Sequence, residues 1–578
     1  MNAKSKIYIT KEEVIFWLMF FLLNALLFLP WYLFSLGKSD FFPYKGFFSE
    51  LLFDKLKFIF IRYNFDIFRV STDLVLLFVL HYFVSSIALK RGVKYFGIIL
   101  FVLLLIYQIY SAFFQSIYQT PAIFYNDFPM LENGFRILST SFSFRIACFV
   151  LLGVAVFLFL LWLVNATFKK IDTLVFGKVS KLIGFSILLL CFISLARFRG
   201  KQMPVITAQL LTVNIFQNIR ASIKLKADVE KIEFNKIPEI NKSLSIALEE
   251  RPNIYFLFIE SYGSINLNNP QLSSSYKTWL KGYETQLAVD GWKSSSILSK
   301  APITGGGSWL SYTTVMLGYK VDNRGLYNTL VANKKFQKYS HLFRNLKQQG
   351  YANYRLNPIV VPENFGIPWD LYTSFYAVDE WIRLYDVKYK GIKYGFGPSP
   401  PDQYSLNKAH EIIAKKGNEP FVLFSLSKNS HTPFAAPYEI KDNWKEWNSE
   451  RGKDKHARFF EVPKIENYRK AIKYQLDNVI DFIIKKGKDT DLFIIIGDHQ
   501  PPAFETMDFK TPIHIIAKNR NFVRGFSNYG FSEGLMPNAL QEMRHEGFYS
   551  MFLRELVRNY GADSTNLPTY FPEGLDFN

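Results

Sequence analysis

Four side chains beyond residue 250 have the types and placement to do chemistry together. Glu260 closes the apolar run NIYFLFIE (253–260), and Asp498 and His499 lie at the end of DLFIIIGD (491–498). Ser308 follows the three glycines Gly305 to Gly307 in KAPITGGGSWLSYTTVMLG (300–318). Two carboxylates and an imidazole make a ligand set for a divalent cation, and a hydroxyl beside such a cation is activated as a nucleophile. Ser308 also opens an apolar, helix-compatible stretch. That position suits an N-cap, and equally an anion site where free N–H groups and the helix dipole favour phosphate. A further histidine, His431, lies in SKNSH (427–431), after the run PFVLFSLS (420–427). Taken singly, each of these groups is an ordinary cap or loop charge. Three at equivalent positions point to one site, with Thr304 and Ser311 as the next hydroxyls should Ser308 not be the nucleophile.

The elements that must position these groups are short, continuous apolar runs: the three above and TPIHIIAK (511–518), separated by longer polar, helix-compatible segments. Runs of this kind suit strands of a mostly parallel sheet covered on both faces by helices. In open α/β sheets, ligands bind outside the carboxyl ends of the strands, which is where these residues fall. Residues 251–578 are therefore expected to form an α/β domain without internal repeats.

The first 198 residues differ in kind. Five apolar runs, near 14–36, 74–89, 95–118, 144–165 and 182–196, mostly approach the ~20 residues needed to cross ~30 Å of hydrocarbon. The second is short and contains His81, which suits a tilted or partly re-entrant segment. The first is too long and too aromatic for a signal peptide and reads as retained. Lys4, Lys6, Lys11, Lys90, Arg91, Lys94, Lys169, Lys170, Lys178 and Lys181 fall in three short stretches on one side. Lys38, Lys45, Lys55, Lys57, Arg62, Arg69, Arg136 and Arg145 spread over two longer stretches on the other. The bias favours an N-terminus inside and everything after Arg197 outside the cytoplasm.

This division accounts for the composition. The 578 residues carry a formal charge of +19 and a mean hydropathy of +0.05. The charge splits into +9 up to residue 198 and +10 beyond it, with no concentrated basic arm, so nucleic acid is not an expected partner. Cys148 and Cys191 both lie in apolar runs, which leaves no thiol for the outer domain. Between 199 and 250, Ile206, Leu210, Val213, Phe216, Ile219 and Ile223 recur at helical spacing beside Arg220, Lys224 and Lys226. This linker reads either as a helix packed on the globular domain or as one lying on an anionic membrane surface.

The pieces "NIYFLFIESYGS", "TGGGSW", "SLSKNSHTPF" and "IIIGDHQPP" resemble the sulfatase-like branch of the alkaline phosphatase superfamily. With five N-terminal spans, the architecture is similar to the lipoteichoic acid synthase group of membrane phosphoglycerol and phosphoethanolamine transferases. The resemblance implies that Glu260, Ser308, Asp498 and His499 ligate one divalent metal, Mn²⁺ first with Zn²⁺ and Mg²⁺ as alternatives, and that Ser308 is the nucleophile, where the synthases have threonine. It implies substrate contacts for His431, and looser ones for Trp369 in "IPWDLY" and Asp402 in "GPSPPDQY". The sequence departs from the pattern at Leu371, which stands where the family's Trp-x-Arg has arginine. The formylglycine signature of sulfatases is absent, because Ser308 is followed by Trp309, Leu310 and Ser311, so sulfate-ester hydrolysis is not expected. The exported domain also lacks the cysteines typical of phosphoethanolamine transferases.

The resemblance thus implies a bacterial plasma-membrane enzyme, multi-pass at residues 1–198, with an amphipathic linker at 199–250 and a catalytic domain at 251–578 facing the periplasm or cell exterior. It would move a phospholipid-derived phospho-headgroup to a glycan or lipid acceptor of the envelope. A membrane phosphodiesterase or phosphatase, with water as acceptor, uses the same first half-reaction. A non-catalytic envelope scaffold of the same fold is the third reading.

Overall fold

In the computed structural model, the residues described are 9–35, 41–43, 48, 51–130, 144–198, 205–359, 367–395, 397–435, 437–456, 463–502, 504 and 508–578. Lys4, Lys6, Lys38, Lys45 and Arg136, which bear on orientation, lie outside them, as does residue 36 at the end of the first apolar run. The chain divides into two units: Met1–Ser116 with Pro121–Lys224, and Ile117–Thr120 with Leu225–Asn578.

The first unit includes α1 (Lys11–Phe34), β1 (Val70–Ser71), α2 (Thr72–Phe83), α3 (Ile87–Tyr118), α4 (Phe144–Thr173), α5 (Lys178–Phe198), β2 (Ala208–Gln209) and the start of α6 (Leu211–Glu230). A Thr10–Glu13 capping box begins α1, and Glu13 Oε1 also accepts from the backbone N–H of Gly177, between α4 and α5. Among the described residues, four helices are long and apolar enough to cross a membrane: α1, α3, α4 over Val150–Thr173 and α5 over Lys178–Arg197. The expected second span is a 12-residue helix, α2, about 18 Å long and too short to cross unaided.

The reason for the short helix lies in its approach. Asn24, near the middle of α1, accepts from the backbone N–H of Ser71 at 2.7 Å, so the chain reaches this level before α2 begins. There β1 pairs in parallel with β2. Asp73 accepts from the N–H groups of Leu211 and Thr212 and from the Thr212 hydroxyl, while Arg69 donates to the Ile206 carbonyl and to Gln209 Oε1. Irregular backbone at membrane depth is tolerated where protein groups satisfy it, as they do here.

The expected linker helix is α6, which begins at Leu211; Ile206 precedes it in extended chain. Phe216, Ile219 and Ile223 are exposed on it. The division between the two compact units falls within this helix, at Lys224/Leu225.

The second unit is built on a sheet in the order β10-β4-β9-β8-β3-β7-β5-β6, with β11 also pairing with β4. These strands are β3 (Ile254–Ile259), β4 (Lys293–Lys300), β5 (Ala352–Asn357), β6 (Glu380–Arg383), β7 (Phe421–Leu426), β8 (Leu492–Gly497), β9 (Lys510–Ala517), β10 (Ser532–Glu533) and β11 (Glu542–Arg544). From β8 through β3, β7 and β5 to β6 all pairs are parallel, whereas β9 runs antiparallel to both β8 and β4. Side chains alternate between faces with period two. Ile254, Phe256 and Phe258 enter one core with Tyr312 and Val315 of α8 (Ser308–Leu317), while Tyr255, Leu257 and Ile259 enter the other with Tyr468 and Ile472 of α10 (Ile465–Lys486). Both layers are buried, and each large apolar side chain removed from water contributes about 1.5–3 kcal/mol. The second face also receives α7 (Pro270–Val289) and α9 (Asp402–Ala414).

Register aligns the chemistry. Gly497 pairs with Ile259 and Leu426 with Phe258, so Asp498 and the Ser427–Lys428 turn emerge beside Glu260 on one sheet edge.

Candidate metal centre and nucleophile

Glu260, Asp498 and His499 are buried, and each offers a ligand atom within 4.8 Å of those of the other two. The loops carrying them are stitched together. Asp498 Oδ1 accepts from the N–H of Ser261 at 2.8 Å and of His499 at 2.7 Å. The Glu260 N–H donates to Ser427 Oγ at 3.0 Å, and its carbonyl accepts from Ser430 Oγ at 2.7 Å. Ser261, between them, has φ +61, a left-handed conformation that costs a non-glycine residue about 1–2 kcal/mol. Such strain persists where surrounding bonds over-determine the backbone.

Ser308 is brought in by α8. Gly305 (φ +82) and Gly307 (φ +91) take left-handed conformations that turn the chain into this helix, and Ser308 is its first residue. Its hydroxyl donates to Glu260 Oε2 at 2.8 Å and lies 3.3 Å from His499 Nε2. His499 Nδ1 sits 2.8 Å from the carbonyl of Gln500, so Nδ1 carries the proton and the Nε2 lone pair faces the cluster. Ser308 is half-buried and reachable, whereas the alternative hydroxyls of Thr304 and Ser311 are buried.

The electrostatics suit a cation. Burial pushes the Glu260 carboxyl up, but His499, His431, the Ser308 hydroxyl and Lys428 together overcome this and hold it at about 2. Burial, followed by the charge of Glu260, raises Asp498 well above the usual carboxylate range. Asp498 Oδ2 is buried with no hydrogen-bond donor on it and lies 3.4 Å from His499 Nε2. Two buried carboxylates, one with an orphaned oxygen, and an imidazole that turns Nε2 to the cluster fit a divalent metal, with Ser308 Oγ as a fourth donor.

The other expected site residues fall into two groups. His431 is half-buried on the loop after β7, its Nδ1 2.8 Å from the Thr432 carbonyl, and its charge acts on Glu260. Asp402 holds that loop in place: it accepts from the N–H groups of Lys428 and Asn429 and from Gln475 Nε2, and its own N–H donates to Asn429 Oδ1. It is thus a positioning residue for the loop bearing His431. Trp369 begins the helix Trp369–Tyr376 and packs on Trp381 and Tyr372.

Sequence reasoning missed three residues near these. The Arg383 guanidinium lies 4.2 Å over the Trp369 ring, supplying from β6 a cation that position 371 does not. Lys428 adds positive charge beside Glu260. Arg355, buried at the carboxyl end of β5, donates to Tyr312 OH at 3.1 Å and lies over the Tyr312 and Phe424 rings, behind the helix that carries Ser308. The Arg355–Tyr312 contact joins elements distant in sequence, and Arg383 reaches Trp369 from the next element rather than from a fixed motif position, so neither is signalled by local spacing.

A serine hydroxyl held between a carboxylate and an imidazole, in a cluster built for a divalent cation at the carboxyl edge of an α/β sheet, defines a metal-assisted ester-transfer domain. Residues 256–541, just under half of the chain, match the Sulfatase family model, so this domain is similar to that family. Among curated proteins, none matches the chain by sequence. Solved structures similar to it include the lipoteichoic acid synthase LtaP from Listeria monocytogenes (15% identity, TM-score 0.36, covering 59% of this chain and 81% of that one). The Streptococcus pyogenes phosphoglycerol transferase GacH in complex with sn-glycerol-1-phosphate has 12% identity and a TM-score of 0.36, with 60% and 83% covered. The periplasmic domain of Escherichia coli EcEptC in complex with Zn has 12% identity and a TM-score of 0.33, with 57% and 88% covered. With scores this low, the site of this chain has to be read from its own residues.

Proposed function

We propose that the protein is a membrane-anchored, metal-dependent phosphotransferase that moves a phospholipid-derived phospho-headgroup, of phosphoglycerol or phosphoethanolamine type, to a glycan or lipid acceptor of the cell envelope. The observation that carries this reading is the hydrogen bond of 2.8 Å from Ser308 Oγ to Glu260 Oε2, at the reachable start of α8.

Glu260, Asp498, His499 and Ser308 would hold the cation. When bound, it lowers the pKa of the serine hydroxyl and neutralises charge on the phosphoryl oxygens; Mn²⁺ suits three oxygens and one nitrogen, and Zn²⁺ or Mg²⁺ are alternatives. Ser308 gives up its proton and attacks the phosphorus of the lipid, forming a phospho-serine, while the bond to the diacylglycerol oxygen breaks. The N-terminus of α8 favours the negative phosphoryl group. His431, with Nδ1 engaged by the Thr432 carbonyl, offers Nε2 to the leaving oxygen. Asp402 keeps His431 in place, and the Trp369–Arg383 pair is a candidate contact for the headgroup. An acceptor hydroxyl then attacks the phospho-serine and restores Ser308.

The apolar helices suit an enzyme whose donor lies in a membrane. With α2 completing a fifth passage, residues beyond Arg197 would face the periplasm or cell exterior from a bacterial plasma membrane. The exposed Phe216, Ile219 and Ile223 suit α6 lying along that surface.

The test is purified protein in liposomes, with headgroup-labelled phospholipid and membrane-derived acceptors. Label transferred to an acceptor, dependent on Ser308 and divalent metal, is the expected result. Label released wholly as free headgroup phosphate would make the protein a phosphodiesterase, and no turnover at all would favour a scaffold.

A further inference from the structure

We propose that the first unit contains a second binding site, for a small uncharged polyol of about glycerol size carried on a lipid. The inference stands apart from the transfer reaction, because every residue it uses lies in the helical unit and none is near Ser308 in sequence. It starts from an anomaly in α3. This apolar helix carries Gln108, Ser111 and Gln115, spaced three and four apart and therefore on one face. Polar side chains in a membrane-crossing helix are costly and mark function by default.

That face borders a cavity of about 60 Å³, lined by Trp31, Tyr107, Ser111, Gln115, Gln209 and Asn214 among others. At ~10–15 Å³ for each water-sized centre, the cavity holds about four to six of them, close to the six non-hydrogen atoms of glycerol and well short of a hexose. The lining is amide, hydroxyl and aromatic, with Pro121 and Ala122 as its aliphatic part, and carries no charged side chain. Arg69 meets this wall through Gln209, donating to its Oε1 at 2.9 Å and leaving the Gln209 NH₂ for other partners. Trp31 is held by donating from Nε1 to Gln108 Oε1 at 3.2 Å and by stacking on Phe65 at 4.9 Å. The other end of that amide, Gln108 Nε2, is buried with no hydrogen-bond partner.

Hydroxyls find donors and acceptors in such a lining, and C–H faces find the rings of Trp31 and Tyr107. An ammonium or a free phosphate would find no counter-charge on it. Trp31 and Gln115 both lie in the last turns of their helices, α1 and α3, toward the ends of those apolar segments.

The test uses the full chain in phosphatidylcholine nanodiscs doped equally with lipids of identical acyl chains bearing glycerol, ethanolamine or serine headgroups. Native mass spectrometry then reads the lipid retained. The glycerol-headgroup lipid should be enriched about ten-fold over the other two. Gln115→Leu, at a half-buried position, and Ser111→Leu, which fills the cavity, should each abolish the enrichment. Ser308→Ala should leave it intact, so a failed transfer reaction and a failed binding site are told apart. Displacement by free glycerol would show that the polyol alone is read; enrichment without displacement would show that the lipid-borne headgroup is required. Equal retention of the three lipids, or enrichment that survives both leucine substitutions, would overturn the proposal.

Discussion

Ser308 Oγ donates to Glu260 Oε2 at 2.8 Å while facing the unprotonated Nε2 of His499 at 3.3 Å, so two bases converge on a hydroxyl that has one proton to give. Ser308→Ala should lower turnover of a phospholipid by about three orders of magnitude or more, as loss of a covalent nucleophile does. Ser308→Thr keeps the hydroxyl on the same backbone and should retain measurable turnover. Steady-state assays of the two variants side by side check this; equal loss in both would point away from the hydroxyl.

The buried carboxylates make a second expectation. Without a cation, burial and the charge of Glu260 both disfavour ionised Asp498. Asp498→Asn keeps an oxygen for the N–H groups of Ser261 and His499 and replaces a carboxyl that burial and Glu260 already hold back from ionising. In chelator, its melting temperature should equal or exceed that of the wild type, while Mn²⁺ affinity should fall by about 100-fold or more. Calorimetric titration and thermal melts with and without metal measure both; a variant less stable in chelator would contradict the charge argument.

Asp402 should behave as a support rather than a ligand. Its oxygens accept three N–H groups, and an asparagine NH₂ would confront at least one of these donors. Asp402→Asn is expected to cost about 1–3 kcal/mol of stability and to lower turnover by roughly ten-fold through the loop bearing His431. Metal affinity should fall far less than it does in Asp498→Asn, because Asp402 bonds none of the ligands and reaches Glu260 only through the Ser427–Ser430 turn. Denaturant unfolding and metal titration of the variant separate these effects.

A pH dependence arises from His514. Ser296 Oγ gives its proton to the Gly534 carbonyl, so His514 Nδ1–H donates to Ser296 at 2.7 Å and Nε2 accepts from Tyr262 OH at 3.0 Å. Burial holds this imidazole neutral, with its pKa down at about 3. The unfolded chain takes up a proton near pH 6.5 that the folded chain refuses until about pH 3. The stabilisation is therefore complete above pH 6.5 and is lost as pH falls toward 3, at about 1.4 kcal/mol per pH unit. Urea unfolding between pH 7 and 4 should show a slope shallower by about this amount in His514→Gln; identical slopes would contradict it.

The placement of the clustered side chains was largely legible in the sequence, because apolar runs announce buried strands and the residues just after those runs lie at one sheet edge. Glu260, Asp498, His499 and Ser308 come together as expected, and the four runs match β3, β7, β8 and β9 to within a residue or two. Local pattern could not show long-range pairing. Strand β4, KSSSILSK, reads as a polar loop, yet Ser296 and Ser299 are buried and bond His514 and His545. The short helix α2 owes its length to Asn24 and Asp73, which satisfy chain segments distant in sequence. The cation over Trp369 comes from Arg383 on another element, invisible to a motif read at fixed spacing.

The central claim is that Ser308 carries the phospho-headgroup covalently. Intact-protein mass spectrometry after brief incubation with phospholipid and Mn²⁺, followed by peptide mapping, tests it most directly. The account predicts an added mass equal to one phospho-headgroup, located on Ser308 and absent from Ser308→Ala. Steady turnover of lipid with an adduct on another residue, or with no adduct even under rapid quenching, would contradict it.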